Sequence, residues 1–94
     1  MAIQKMKKIE YKVPGGKLLK ISAMVEGDKI KDIKIHGDFF AYPEESIEKL
    51  EVGLKNIPLE ESKIREILEN SLREVELIGI SKEDLLHVLM KLKD

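Results

Sequence analysis

Ile33-Lys34-Ile35-His36-Gly37-Asp38-Phe39-Phe40-Ala41-Tyr42-Pro43 is where this chain changes character. The stretch holds three of the four aromatic side chains and one of the two histidines. Its Gly37-Asp38 step separates residues that alternate apolar and polar from residues whose apolar positions recur at helical spacing. Strands are therefore expected upstream and helices downstream, with the bulkiest side chains gathered at the corner between them.

Working back from the corner, residues 8–13 alternate, with Ile9, Tyr11 and Val13 on one side and Lys8, Glu10 and Lys12 on the other. Pro14-Gly15-Gly16 cannot continue that strand, because proline removes a donor and paired glycines open turn conformations. A second strand is predicted over 17–26, with Leu19, Ile21, Ala23 and Val25 facing inward. Glu26-Gly27-Asp28-Lys29 has the chemistry of a tight hairpin leading into a third strand over 29–36. A two-residue loop would place Ile30 opposite Val25 but turn Ile33 and Ile35 to the wrong face, since side chains alternate strictly along a strand. One residue must be absorbed, by a bulge near Lys31-Asp32 or by a three-residue loop, so that Ile33 and Ile35 join Ala23 and Ile21.

Working forward, Pro43 suits the first turn of a helix, and Glu44 and Glu45 suit its positive end. Ile47, Leu50 and Leu54 form its apolar stripe; Asn56 and Pro58 mark its end. A second helix over about 59–75 carries Ile64, Ile67, Leu68, Leu72 and Val75, and Gly79 interrupts the pattern. Ser81 caps a third helix, with Asp84 three places on as a variant capping box and Leu85, Leu86, Leu89 and Leu92 as its stripe. Residues 1–94 are thus expected to form a single two-layer α+β domain, a three-stranded antiparallel sheet covered by about three helices.

The composition narrows the function. The chain has no cysteine, so there is neither a disulfide framework nor a thiolate metal site, and a cytoplasmic protein is the expectation. No apolar run approaches the roughly 18 residues that span a bilayer. Net charge is −1, which argues against a nucleic-acid partner. The sign is uneven, however: up to residue 42 nine Lys face five acids, whereas from residue 43 eight Lys and Arg face thirteen acids. These are either solvated faces of an ion-rich protein or, in a sharper reading, a sheet surface that meets an anion or an acidic partner.

No complete reactive site emerges. Gly15-Gly16-Lys17 lacks the earlier glycine, the following Ser or Thr and the helix of a phosphate-binding loop; it is read as a hairpin loop, or as a loop whose N–H groups, with Lys12 and Lys17, approach an anion held mostly by another chain. His36 and His87 are far apart in the chain with no ligand set around them, so no metal is expected. The serines fall in strands, helices and a cap with no base beside them. Asp38 is read as a short carboxylate accepting backbone N–H bonds at the corner, or as a ligand contact. Phe39, Phe40 and Tyr42 do not match a base-stacking platform, which sets aromatics within a basic groove on strands. One Phe in the core and one at a partner surface is the simpler assignment.

Val13-Pro14-Gly15-Gly16-Lys17-Leu18, Val25-Glu26-Gly27-Asp28-Lys29-Ile30, Ile35-His36-Gly37-Asp38-Phe39-Phe40, Ile47-Glu48-Lys49-Leu50-Glu51 and Ile80-Ser81-Lys82-Glu83-Asp84-Leu85-Leu86, in that order, resemble the accessory, C-terminal domain of lipoate–protein ligases. The resemblance implies a part in a two-step reaction. Lipoate and ATP, with Mg2+, give lipoyl-adenylate, and the lipoyl group then passes to a lysine of an acceptor domain. In that family the large domain holds lipoate and ATP, and the accessory domain docks beside it. A chain consisting of the accessory part alone implies a non-catalytic subunit that binds none of these cofactors by itself. Its partner is a separate catalytic subunit in a heterodimer, and through it, indirectly, the lipoyl-acceptor protein. The expected contact residues are Lys12, Gly15, Gly16 and Lys17 in the turn and Gly37, Asp38, Phe39 and Phe40 at the corner. The alternative is a small α+β scaffold or adaptor unrelated to lipoylation.

Overall fold

The upstream alternation builds three long antiparallel strands in the computed structural model, which describes residues 4–15 and 17–93. These are β1 (Gln4–Lys12), β2 (Leu18–Glu26) and β3 (Lys29–Gly37). Leu19, Ile21, Ala23 and Val25 of β2 are buried on one face together with Ile30, Ile33 and Ile35 of β3. Lys8, Glu10, Lys20 and Lys34 face solvent on the other, as expected of an antiparallel sheet covered on one side only.

The hairpin between β2 and β3 resolves the parity problem with a bulge. Glu26 pairs with Lys29 and Val25 with Ile30, but Met24 pairs with Asp32, so Lys31 is the extra residue. Ile33 then lies opposite Ala23 and Ile35 opposite Ile21. Without that insertion two isoleucines would move from the core to water, at about 2 kcal/mol or more each.

The sheet has four strands rather than the expected three. A two-residue strand, β5 (Ile57–Pro58), pairs with Lys29 and Ile30, and it is flanked by hydrogen bonds from Asn56 N to Ile30 O and from Leu59 N to Asp28 O, both 2.6 Å. Pro58 is tolerated because this is an edge, where its missing donor leaves no ladder bond open. Past Ile30 the β3 edge is closed by carboxylates: Ile33 N donates to Asp32 Oδ1 at 3.0 Å and Ile35 N to Glu51 Oε2 at 2.7 Å. Edge donors satisfied in this way cannot template another strand.

Downstream lie α1 (Ser46–Gly53), α2 (Glu61–Ser71) and α3 (Lys82–Met90), the last running into a 3₁₀ turn at Lys91–Lys93. Leu50, Leu54, Ile64, Leu68, Leu85, Leu89 and Leu92 are fully buried and complete the core. Ser81 forms the expected capping box: its Oγ accepts from Asp84 N at 3.1 Å, and its N–H donates to Asp84 Oδ2 at 2.9 Å. Arg65 Nη1 donates to Glu83 Oε1 at 2.9 Å and ties α2 to α3.

Two helix boundaries differ from expectation, for one reason. Pro43 does not open α1, and α2 stops at Ser71 instead of running to 75, because residues 40–42 and 76–78 pair with each other as β4 (Phe40–Tyr42) and β6 (Glu76–Ile78). Strand pairing to Tyr42 delays α1: the Tyr42-Pro43 peptide is cis, and Pro43 O accepts from Ser46 N at 3.0 Å in a turn before the helix. No helix among the described residues is long and apolar enough to cross a membrane.

Candidate partner-contact site

The two segments singled out in the sequence meet at one end of the sheet. Lys12 pairs with Leu18, Leu19 pairs with Gly37, and Asp38 N donates to Leu18 O at 2.8 Å, so residues 12–18 and 37–38 lie side by side across the strand ends. The turn is closed by Val13 N donating to Lys17 O at 2.8 Å and anchored by the buried Val13 side chain. Lys12, Gly15 and Lys17 are exposed, and among the described residues neither ammonium is in an ion pair. Gly16 lies outside the described residues.

Gly37 is required by contact as well as by conformation. At φ 155° a Cβ would run into the carbonyl oxygen of Leu18 and lie 3.1 Å from Leu19 Cα, and both obstacles are backbone. The Asp38 carboxylate does not play the role expected of it. Among the described residues it accepts no backbone N–H; instead the Asp38 N–H is the donor, because the carbonyl of Leu18, the first residue of the neighbouring strand, lies within its reach.

The two phenylalanines divide as the extended backbone demands. Phe39 packs against the core, whereas Phe40 is 63% exposed. Phe40 pairs with Ile78, Ala41 with Leu77 and Tyr42 with Glu76. Ala41 and Leu77 turn toward the core, while Phe40, Tyr42 and Ile78 stand on the outer face of this two-stranded ribbon. Gly79 locks the ribbon to the corner, since its Cβ position is 3.3 Å from Asp38 O and 3.4 Å from Phe39 Cα. Tyr42, weighed in the sequence only as one of an aromatic trio, and Ile78 share this exposed face with Phe40 and were not among the expected contact residues. The only local signal was the apolar pair Leu77-Ile78 ahead of Gly79, beyond the last polar turn of the second helix.

Beside Phe40 lies an open groove of mixed character, with Ile35, Phe39 and Ile47 on its apolar side and His36 and Glu44 on its polar side. It is shallow, and among the described residues no three His, Cys, Asp or Glu side chains are grouped to hold a metal ion. The Arg65 guanidinium, held above its ordinary range chiefly by Glu83 and then by Glu61, sits on the helical side between α2 and α3.

A half-covered sheet, a glycine-shaped corner and an exposed apolar ribbon define a small two-layer α+β domain that offers contact surfaces. Residues 4–89 match the family model described as the bacterial lipoate protein ligase C-terminus, and the chain belongs to that family. It is 37% identical over 73 residues to lipoate-protein ligase A subunit 2 of Thermoplasma acidophilum, covering 77% of this chain and 76% of that relative. A solved structure from the same organism is similar with a TM-score of 0.81 and 32% identity, over 93% of this chain and 97% of that one. It comes from a structural analysis of an archaeal lipoylation system comprising a bi-partite lipoate protein ligase and its E2 lipoyl domain.

Proposed function

We propose that this chain is the accessory, non-catalytic subunit of a two-component lipoate–protein ligase, supporting ATP-dependent adenylation of lipoate by a separate catalytic subunit. The observation that carries this reading is the match to a chain from the structure of a bi-partite lipoate protein ligase system: 97% of that chain is covered, so there the matching chain is little more than this domain. An adaptor unrelated to lipoylation is set aside by the family match.

In this reading lipoate, ATP and Mg2+ are held by the catalytic subunit in the cytoplasm, and the lipoyl-acceptor protein is met through it. The contribution of this chain is preorganisation. The turn at residues 12–17 and the corner at 37–40 share one end of the sheet, so a catalytic subunit docked there receives both a packed corner and two ammonium groups that make no ion pair among the described residues. Positioned cationic donors stabilise the charge that develops in nucleotidyl transfer without having to reorganise during the step.

The direct test measures lipoyl-adenylate formation by the catalytic subunit with and without this chain. Addition of the chain is expected to raise the rate by about tenfold or more, a barrier change of about 1.4 kcal/mol. No stimulation and no co-purification would overturn the proposal.

A further inference from the structure

We infer that the outer face of the β4–β6 ribbon, Phe40, Tyr42 and Ile78, is the anchor by which this chain docks on the catalytic subunit of the ligase; this rests on the function proposed above. Five large apolar side chains are notably exposed among the described residues, Met6, Phe40, Tyr42, Val52 and Ile78. Three of them stand together on this one short ribbon, while Met6 and Val52 lie on separate elements. A two-stranded ribbon has little stability of its own. This one is held from behind by Ala41, Leu77, Phe39 and Gly79, so its outer face is presented already ordered and costs little conformational entropy on binding. Phe40 itself borders a shallow groove of mixed character, in which Phe39 and Ile47 stand with His36 and Glu44, and exposed aromatic side chains that become buried on binding often carry much of an interface's energy.

Two arguments choose the occupant. The first is area. Three half-exposed side chains present on the order of 300 Å², well short of the roughly 800 Å² per partner that a stable interface needs. A second copy meeting this patch alone would not hold. A partner that also engages the adjoining corner and turn would, and the proposed function supplies one. The second argument is tethering. The family takes its description from the C-terminus of a bacterial ligase, and a domain fused to its neighbour is held close by the chain itself, at an effective concentration of about millimolar for a short link. A separate subunit has no such tether and must bind through its surface, and the exposed aromatic pair is the strongest adhesive on this one.

The test compares wild type, Phe40→Asp, Ile78→Asp and Val52→Asp for affinity to the catalytic subunit by calorimetry, with circular dichroism to check folding. Phe40→Asp and Ile78→Asp are each expected to weaken binding by about thirtyfold or more, and Val52→Asp by less than about threefold. Because a charged residue could also disorder the ribbon, amide exchange of the wild-type chain is followed in parallel. Amides of Phe40–Tyr42 and Glu76–Ile78 should slow in the complex. Unchanged affinity of the folded Asp variants, or no slowing of these amides, overturns the docking surface and leaves the accessory function standing. So would a wild-type chain that dimerises through Phe40 and still binds its partner when Phe40 is replaced. Failure of the wild type to bind overturns the accessory function itself.

Discussion

The turn at residues 12–17 and the corner at 37–40 meet at the same end of one sheet, and each is built around glycine, yet their surroundings differ. A Cβ at Gly15 would meet nothing within 4 Å, whereas a Cβ at Gly37 would strike the backbone of Leu18. Around the corner the backbone is engaged on several sides: Asp38 N is bonded to Leu18 O, Phe39 is packed on the core, and Gly79 closes against Asp38 and Phe39. Around the turn, among the described residues, one backbone bond and one buried side chain, Val13, close the loop. The fold constrains the corner by both crowding and conformation, while at Gly15 it constrains only the backbone, at φ 102°, and leaves the space around it open. Lys12 and Lys17 are thus free to serve a partner, and Phe40 can do so only because the rest of the corner is held.

The largest stability effect should come from the most crowded position. Gly37→Ala places a methyl against backbone atoms that no rotamer change can move, at a φ of 155° that L side chains rarely adopt. A loss of about 3 kcal/mol or more is expected, which for a domain of this size lowers the melting temperature by on the order of 15 °C. Thermal unfolding followed by circular dichroism measures it. A shift of only a degree or two would mean that the corner yields, and the contrast with the turn would collapse.

Phe39→Ala should rank second, because it removes an aromatic side chain that is half-buried rather than enclosed. Full burial would put the cost at about 3–5 kcal/mol, and partial burial reduces it to about 2 kcal/mol. Denaturant unfolding of this variant beside Phe40→Ala sharpens the comparison within the corner: the exposed neighbour should cost less than about 1 kcal/mol. Equal losses would show that the two phenylalanines do not divide between core and surface.

Strict alternation made it legible that one residue must be absorbed between Val25 and Ile33, though not whether by the bulge that forms at Lys31 or by a longer loop, and the Ser81–Asp84 cap was legible because its partners lie one turn apart. The short strands β5 and β6 were not. Two or three residues carry no period, and their extended state is imposed by partners distant in sequence, Lys29 and Ile30 for one and Phe40–Tyr42 for the other. The same long-range pairing hid Tyr42 and Ile78, whereas the split of Phe39 from Phe40 followed from adjacency alone. Of the two roles read for Asp38, the carboxylate that accepts backbone N–H bonds is not formed among the described residues, because nothing local tells that Leu18 O will engage its backbone N–H instead.

Lys17→Ala should have the smallest effect on the fold and a selective one on function. The side chain is exposed and bonds to nothing among the described residues, so stability should stay within about 0.5 kcal/mol of wild type. If its ammonium faces the nucleotide in the assembled ligase, lipoyl-adenylate formation should fall by about fivefold, equivalent to about 1 kcal/mol in the barrier, while transfer from preformed lipoyl-adenylate keeps its rate. The two half-reactions separate the explanations, because a docking defect weakens both steps alike and is rescued by raising the concentration of this chain, whereas a missing charge slows adenylation even at saturation. A folding defect in Lys17→Ala would place the turn with the corner, among the parts whose residues the fold dictates.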